Sequence, residues 1–334
     1  TGDQDPVSRI LIKSCGLAEC LSKGEELSGW KEKRNQVLPV GTKKRGIGMA
    51  CLDYPTSTFP FNQELDGARI KVNEDGTATL FLGSAEIGQG NDTVMVQIAC
   101  EETGFPIQDF KVATVDTDVC PIGMGAYASR QTYVSGMAVK NAAIQCRNSI
   151  LEFAGKMLNR ETQQLEVLEG WVCEKATGTK LLTIKDIAMR AYYDKQDPLP
   201  LSFEAYSRAE RCPLSFAAVF AEVEVDTGTG KVEVKEIWAI HDSGKIINPV
   251  TAEGQVYGGV VMGMGYGVAE QLLVDKNNGL TLNGNLLDYK LATTMDIPRI
   301  HASFVETIEP DTPYGNKSLG EPVCVGIARS EERR

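Results

Sequence analysis

The chain has 334 residues, 42% of them hydrophobic and in short apolar runs, enough for one large domain or two packed subdomains with a sizeable core. Its net charge of −11 repels nucleic acid and anionic membranes, and no membrane span or secretory signal is visible, so neither is an expected partner. Nine cysteines, an odd number with no CxxC, read as buried free thiols of a cytoplasmic protein. With only His241 and His301 as histidines, no zinc or iron–sulfur site is expected in this chain.

Residues 1–45 read as a leader. From Pro6 to Lys33 the spacing of Ile10, Ile12, Leu17, Cys20 and Leu21 predicts a helix, with a charged, solvated stretch over residues 31–36. Next comes a pattern that occurs twice. The first copy is a hairpin around Asp75-Gly76, with alternating apolar residues from Ala68 to Leu82. A glycine loop, residues 83–90, follows it. Then comes a helix from about Asp92 to Thr103, capped by Asn91 or Asp92 and stopped at Gly104. A long helix is predicted from about Arg130 to Leu158, and a Lys-, Thr- and Asp-rich connector leads to about Ser207. The second copy runs Phe220 to Val225, turns at 226–230, returns through Val234 and Trp238 to the loop Asp242-Ser243-Gly244-Lys245, and enters a glycine-rich helix over about Thr251–Glu270. The repeat predicts two packed α+β subdomains, 46–205 and 206–334.

Four motifs stand out. In Gly88-Gln89-Gly90, glycines let the backbone approach a ligand and leave N–H groups at a helix start facing an anion; a plain strand-to-helix turn is the competing reading. In the segment 123–130, Ser129 serves as a helix cap or an oxygen ligand, and Arg130 as a partner for phosphate. In the 253–267 helix, Gly259, Gly263 and Gly267 share one face, so another backbone or a flat ligand must approach it closely. A membrane helix pair is the competing reading, disfavoured by the short run and by Glu253, Gln255 and Glu270. In Gly320-Glu321-Pro322, the proline disfavours helix at Glu321, pushing it extended and aiming a carboxylate suited to general-base work. Without context, a lone glutamate reads as solvated. A strand–GxGxxG–helix dinucleotide fingerprint is absent, because Gly90 is followed by Asn91-Asp92-Thr93.

Taken in order, Glu86-Ile87-Gly88-Gln89-Gly90, Ala128-Ser129-Arg130 before Gly136-Met137-Ala138-Val139, Gly244-Lys245-Ile246-Ile247-Asn248-Pro249 with Glu253-Gly254-Gln255, and Lys317-Ser318-Leu319-Gly320-Glu321-Pro322 resemble the xanthine dehydrogenase family of molybdenum hydroxylases. The resemblance covers nearly the whole chain and implies the second half of that family's molybdopterin-binding region. It implies that Gln89 and Gln255 contact the pterin and the oxo ligand of the metal, and that Gly90, Tyr127, Ala128 and Ser129 line the pterin or its nucleotide tail. Glu321 is then the base in hydroxylation by water. No residue binds molybdenum directly; a pterin dithiolene carries it, with a sulfido or selenido ligand.

The resemblance further implies a molybdopterin cytosine dinucleotide, with FAD and 2Fe-2S clusters on partner chains. The partners are a second molybdopterin subunit supplying the other half, an FAD subunit and an iron–sulfur subunit. This division resembles the medium molybdopterin subunit of the four-subunit, NADP-linked nicotinate dehydrogenase branch, converting nicotinate to 6-hydroxynicotinate. A purine substrate such as xanthine suits the same chemistry, and a non-catalytic scaffold closing the cofactor interface is the reading from another class. The family normally continues well past the glutamate, so a truncated or altered C-terminus is also expected.

Overall fold

The computed structural model describes residues 2–5, 9–36, 41–195 and 198–331. Residues 6–8, where the expected first helix begins, and 332–334 of the C-terminal segment lie outside the described residues. In chain order the elements are α1 (Leu17–Ser28), α2 (Trp30–Arg34), β1 (Lys43–Pro55), β2 (Leu65–Val72), β3 (Ala78–Leu82), α3 (Asn91–Thr103), β4 (Phe110–Ala113) and α4 (Gln131–Leu158). There follow β5 (Leu165–Leu168), β6 (Trp171–Glu174), β7 (Lys180–Thr183), α5 (Ile184–Tyr193), β8 (Ser202–Arg208), β9 (Leu214–Asp226), β10 (Val232–Asp242), α6 (Pro249–Val268), β11 (Arg299–Val305), α7 (Pro322–Val325) and α8 (Ile327–Glu331). The architecture is α+β. The chain forms two compact units: Thr1–Thr56 with Pro213–Pro310 and Tyr314–Arg334, and Ser57–Cys212 with Asp311–Pro313.

The repeat seen in the sequence is a repeat of topology. In the Ser57–Cys212 unit, β2 and β3 pair antiparallel, α3 crosses over, and β4 returns parallel to β3. In the other unit, β9 and β10 pair antiparallel, α6 crosses over, and β11 returns parallel to β10. Each sheet gains a fourth, antiparallel strand next to the first hairpin strand, giving the orders β4-β3-β2-β8 and β11-β10-β9-β1. A small sheet, β5-β6-β7, fills part of the connector region of the Ser57–Cys212 unit.

The strand β1 corrects one expected boundary. Residues 46–55, expected at the start of the first subdomain, pair along the strand with β9, from Lys43 opposite Asp226 to Pro55 opposite Leu214. The leader joins the same unit, because β9 is apolar on both faces and needs cover on both. One face (Val219, Ala221, Val223) packs with Val256, Val260 and Met264 of α6 and with Val323 and Ile327. The other face (Ala218, Phe220) packs with Trp238, Ile240 and Cys20 of α1. Gly24 lies so close to Phe220 that a Cβ there would stand 2.2 Å from its ring. Helix begins only at Leu17, however; Ile10 and Ile12 lie in a short antiparallel return, with Gln4 opposite Leu11. In the Ser57–Cys212 unit, α4 packs on β2 and β8 through small buried residues, among them Ala138, Ala142 and Ala143. All nine cysteines are free; Cys20, Cys146, Cys173 and Cys212 are buried, whereas Cys15 and Cys51 are exposed. Among the described residues, no helix is long and apolar enough to cross a membrane.

Candidate functional site

The expected site residues fall on both units: Gln89, Gly90, Tyr127, Ala128 and Ser129 on one, Gln255 and Glu321 on the other.

In the Ser57–Cys212 unit, the loop after β3 and the loop before α4 lie side by side at one end of the sheet. Two glycines make this possible. A Cβ on Gly83 would stand 2.3 Å from the Ile122 carbonyl oxygen, and one on Gly123 would stand 1.8 Å from the Gly83 carbonyl oxygen. The backbone N–H groups of the first loop do face an anion, but it is the protein's own. The Glu86 carboxylate accepts from the N–H of Gly88 (2.7 Å), Gly90 (3.1 Å) and Asp92 (3.0 Å). Partial burial opposes its ionisation, yet these donors outweigh that and hold Glu86 below the usual carboxylate range. This corrects the expectation of free N–H groups there. It also corrects the expected Asn91 or Asp92 cap: α3 starts from Gly90 at φ 86 with no side-chain cap, and the Glu86 carboxylate serves its first turn.

Gln89 is similarly engaged. Its Oε1 accepts from the N–H of Ile87 (2.7 Å), and its Nε2 donates to the Ala85 carbonyl (3.0 Å) and to Gln131 Oε1 (2.6 Å). Gln131, the first residue of α4, donates to the same Ala85 carbonyl at 3.0 Å, so it ties the two loops together. Gln131 is not among the residues expected from the sequence; its only local signal is an amide directly after the Ala128-Ser129-Arg130 motif.

In the second loop, Ala128 and Ser129 both stand at φ 47, a left-handed pair that turns the chain sharply into α4. Ser129 does not cap the helix. Arg130 is not a phosphate partner. Its side chain is fully buried, ion-paired with Glu64 and, at 2.9 Å, with Asp66, and it donates to the Gly125 carbonyl at 3.1 Å. Burial raises the Asp66 carboxyl against the pull of Arg130, while Met124 N–H and the Ser135 hydroxyl also donate to Asp66. Tyr127 donates to Glu64 at 3.4 Å, and its phenol is raised by burial, so it keeps its proton. Glu64 and Asp66 were invisible as a pair because nothing local says that both face one guanidinium.

In the other unit, β10 ends at Asp242, and α6 starts from Asn248, whose side chain accepts from Thr251 N–H at 3.1 Å, with Pro249 in the first turn. The segment before Glu321 runs beside the loop after β10. Lys317 N–H donates to the Ser243 carbonyl (2.7 Å), and Lys245 N–H to the Gly315 carbonyl (3.1 Å). Gly244, at φ 65, permits this approach, since a Cβ there would stand 2.1 Å from the Gly315 oxygen. Lys317 Nζ meets Asp242 Oδ2 at 2.6 Å, both side chains wholly buried. Ser318 is held by Thr56 (2.9 Å) and Ser215 (2.7 Å).

Glu321 itself is not extended. It stands at φ −86, ψ −34 as the N-cap residue of α7, with Pro322 in the first turn. Proline's bias against helix in the preceding residue is overridden by packing. The turn that follows Glu321 sits on the glycine face of α6: a Cβ on Gly259 would stand 2.0 Å from Val323 Cγ2, and one on Gly263 2.7 Å from the Cys324 oxygen and from Ile327 Cβ. The close neighbour that the glycine stripe demanded is therefore the chain's own polypeptide; Gly267, the third member, is exposed. A second pair, Gly254 and Gly258, is different. Nothing lies within 4 Å of a Cβ at either position, and between them sits half-buried Gln255. Both glycines are exposed, so that strip of α6 beside Gln255 is open to solvent.

Residues 23–298 match the family model described as the molybdopterin cofactor-binding domain, and the chain belongs to that family. It is 40% identical over 330 residues to the putative xanthine dehydrogenase molybdenum-binding subunit XdhA of Escherichia coli (strain K12), covering 98% of this chain and 44% of that protein. It is 30% identical over 263 residues to the nicotine 6-hydroxylase large subunit of Paenarthrobacter nicotinovorans, covering 77% of this chain and 32% of that protein. In fold it is similar to quinoline 2-oxidoreductase from Pseudomonas putida 86, with a TM-score of 0.90 at 24% identity, over 98% of this chain and 43% of that one. The chain thus spans less than half the length of these relatives.

Proposed function

We propose that this chain is part of a molybdenum-dependent hydroxylase, holding one portion of a molybdopterin cytosine dinucleotide and presenting Glu321 as the catalytic base. The observation that carries the reading is the double bracing of Glu321. The buried Lys317–Asp242 pair fixes the backbone before it, and the Gly259–Gly263 face of α6 seats the turn after it. A solvated surface glutamate needs neither.

The residues fit the cofactor. On one unit the open strip of Gly254 and Gly258 leaves room for a planar pterin beside the Gln255 amide; on the other, the Tyr127–Ser129 turn with Gly90 is the surface this reading assigns to the pterin or its nucleotide tail. When bound, the molybdenum centre supplies the two-electron oxidation and the site at which water is activated. This chain's part is to orient substrate and cofactor and to take a proton at the Glu321 carboxylate. Gln89 contributes after its bonds to Ala85 and Gln131 are exchanged, or by holding its loop in place. The second molybdopterin polypeptide, an FAD subunit and a 2Fe-2S subunit complete the enzyme in this reading.

The substrate is an N-heteroaromatic compound. Nicotinate, hydroxylated to 6-hydroxynicotinate, and a purine such as xanthine are the two alternatives. The 40% identity to a xanthine dehydrogenase subunit supports the purine, and the likeness to a nicotine 6-hydroxylase supports the pyridine. The assembled complex, offered both compounds in labelled water, is expected to place the label in one product. Molybdenum-loaded complex that labels neither would overturn the reaction class.

A further inference from the structure

Between β3 and α3, four backbone N–H groups are taken by two side chains of the loop itself. Gln89 Oε1 accepts from Ile87 (2.7 Å), and the Glu86 carboxylate accepts from Gly88, Gly90 and Asp92. The carboxylate divides its grip: Oε1 takes Gly88 and Gly90, and Oε2 takes Asp92, so both oxygens are in use. Gly88 and Gly90 stand at φ 97 and 86, a region that favours glycine, and turns of this kind aim successive N–H groups at one point. That point suits an anion, and the side chain at position 86 fills it.

A second hold falls on the Gln89 side chain. A primary amide has two N–H donors, and both are committed, one to the Ala85 carbonyl (3.0 Å) and one to Gln131 Oε1 (2.6 Å). Gln131 lies buried at the start of α4 and donates to Ala85 as well (3.0 Å). Asp92, the neighbouring carboxyl, does not compete for the loop. Its side chain accepts from Asn91 (3.3 Å), and burial, with the Glu86 charge beside it, raises it above the usual carboxylate range. The negative charge that the start of α3 faces is therefore that of Glu86.

We infer that Glu86 is a positioning residue: it is a built-in anion that fixes the Gly88-Gln89-Gly90 backbone and, with Gln131, holds the Gln89 amide in place before any ligand arrives. The loop is then preformed in the chain alone. Its anion position is also filled, so a phosphate of the cofactor binds elsewhere and this loop meets an uncharged part of the ligand. The inference rests on the proposed function for what Gln89 touches, but not for the clamp that holds it.

Glu86→Gln is the discriminating variant. It keeps the shape but turns one oxygen into an NH2 group, which cannot accept from the N–H groups it faces. In the wild-type chain alone, the amides of Gly88, Gly90 and Asp92 are expected to exchange slowly. The variant should speed them about tenfold or more, leaving melting and the amides of Ile98 and Ala99 further along α3 unchanged. Gln131→Met should leave the three backbone amides slow and speed exchange of the Gln89 side-chain amide. Inorganic phosphate should not shift the wild-type loop resonances. In the molybdenum-loaded complex, both variants are expected to keep their molybdenum and KM but to lower the saturating rate of reduction by substrate about tenfold. They should also change the electron paramagnetic resonance spectrum of the partly reduced complex, which a residue that only stabilises the fold would not move. Wild-type loop amides that exchange as in unfolded chain, or that Glu86→Gln leaves unchanged, overturn the clamp, as does phosphate binding to the wild-type loop. The wild-type exchange, the phosphate titration and Gln131→Met decide the question even where Glu86→Gln does not fold. A loosened loop with rate and spectrum unchanged would instead leave the clamp standing and overturn the placement of Gln89 at the cofactor.

Discussion

Asp242 and Lys317 form a wholly buried ion pair, 2.6 Å between Oδ2 and Nζ, joining the end of β10 to the segment that leads into Glu321. Asp242 also accepts from Gly16 N–H at 2.7 Å and from the Thr307 hydroxyl at 2.7 Å, so one carboxylate ties three separate parts of the chain. Lys317→Met is expected to cost about 3–5 kcal/mol, because it strands a charge away from water. Adding Asp242→Asn should recover part of that loss, since the double variant leaves no uncompensated charge. Urea unfolding of the chain measures both. A single variant that loses less than about 1 kcal/mol would mean the pair does not anchor the segment.

The α6 glycines should separate by sign. Gly259→Ala puts a methyl 2.0 Å from Val323 Cγ2, with no flexible end to give way, and is expected to destabilise by about 1–3 kcal/mol. Gly258→Ala meets nothing within 4 Å and should stabilise the chain by about 0.5–1 kcal/mol through helix propensity. In the assembled complex, Gly258→Ala is expected to lower molybdopterin content despite that gain, because the methyl enters the strip beside Gln255. Melting of the free chain and cofactor analysis of the complex read the two effects separately. Equal cofactor content in wild type and Gly258→Ala would take the strip out of the binding site.

These glycines also show how much the sequence could disclose. Spacing alone revealed that one face of α6 must be closely approached, and the hairpin–loop–helix repeat was legible in both copies. What approached was not legible, because Val323 and Ile327 reach Gly259 and Gly263 only through tertiary packing. The same gap misplaced Arg130 and the Glu321 backbone. Glu64 and Asp66 precede Arg130 by more than sixty positions, and proline's local preference gave way to the seat on α6. The Glu86 nest was a near miss: the donors were identified, but an anion six residues before Asp92 was not considered as their partner.

His241 gives the chain a pH dependence. It is buried on β10, its Nε2 has no partner among the described residues, and burial lowers its pKa from 6.5 to about 4. The unfolded chain therefore takes a proton below about 6.5 that the folded chain refuses until about 4. The stability set by this group is complete above the unfolded value and is lost as pH falls between the two, about 3 kcal/mol in total. His241→Leu keeps the burial and removes the titration. Unfolding free energies at pH 7.5 and 4.5 should differ by roughly 2–3 kcal/mol less in the variant. An unchanged difference would show that other groups, not His241, set the acid limb.

Glu321→Gln carries the most weight. The substitution keeps size and the N-cap position of α7 but removes the carboxylate proposed as the base, so assembly, melting and molybdenum content are expected to stay within error of wild type. Loss of a general base typically costs 10²–10⁴-fold, roughly 3–5 kcal/mol in the barrier. On the proposed role, the loss is expected in the step in which substrate reduces the enzyme, the step in which a base takes the proton. Stopped-flow reduction of the assembled complex by substrate isolates that step, and reduction by dithionite serves as the control that should not change. Lys317→Met provides the contrast: if it displaces the carboxylate rather than deleting it, stability and rate fall together, whereas Glu321→Gln lowers the rate alone. A fully loaded Glu321→Gln complex reduced by substrate within about threefold of the wild-type rate, under 1 kcal/mol of effect, would leave the Gly-Glu-Pro turn with a structural role only.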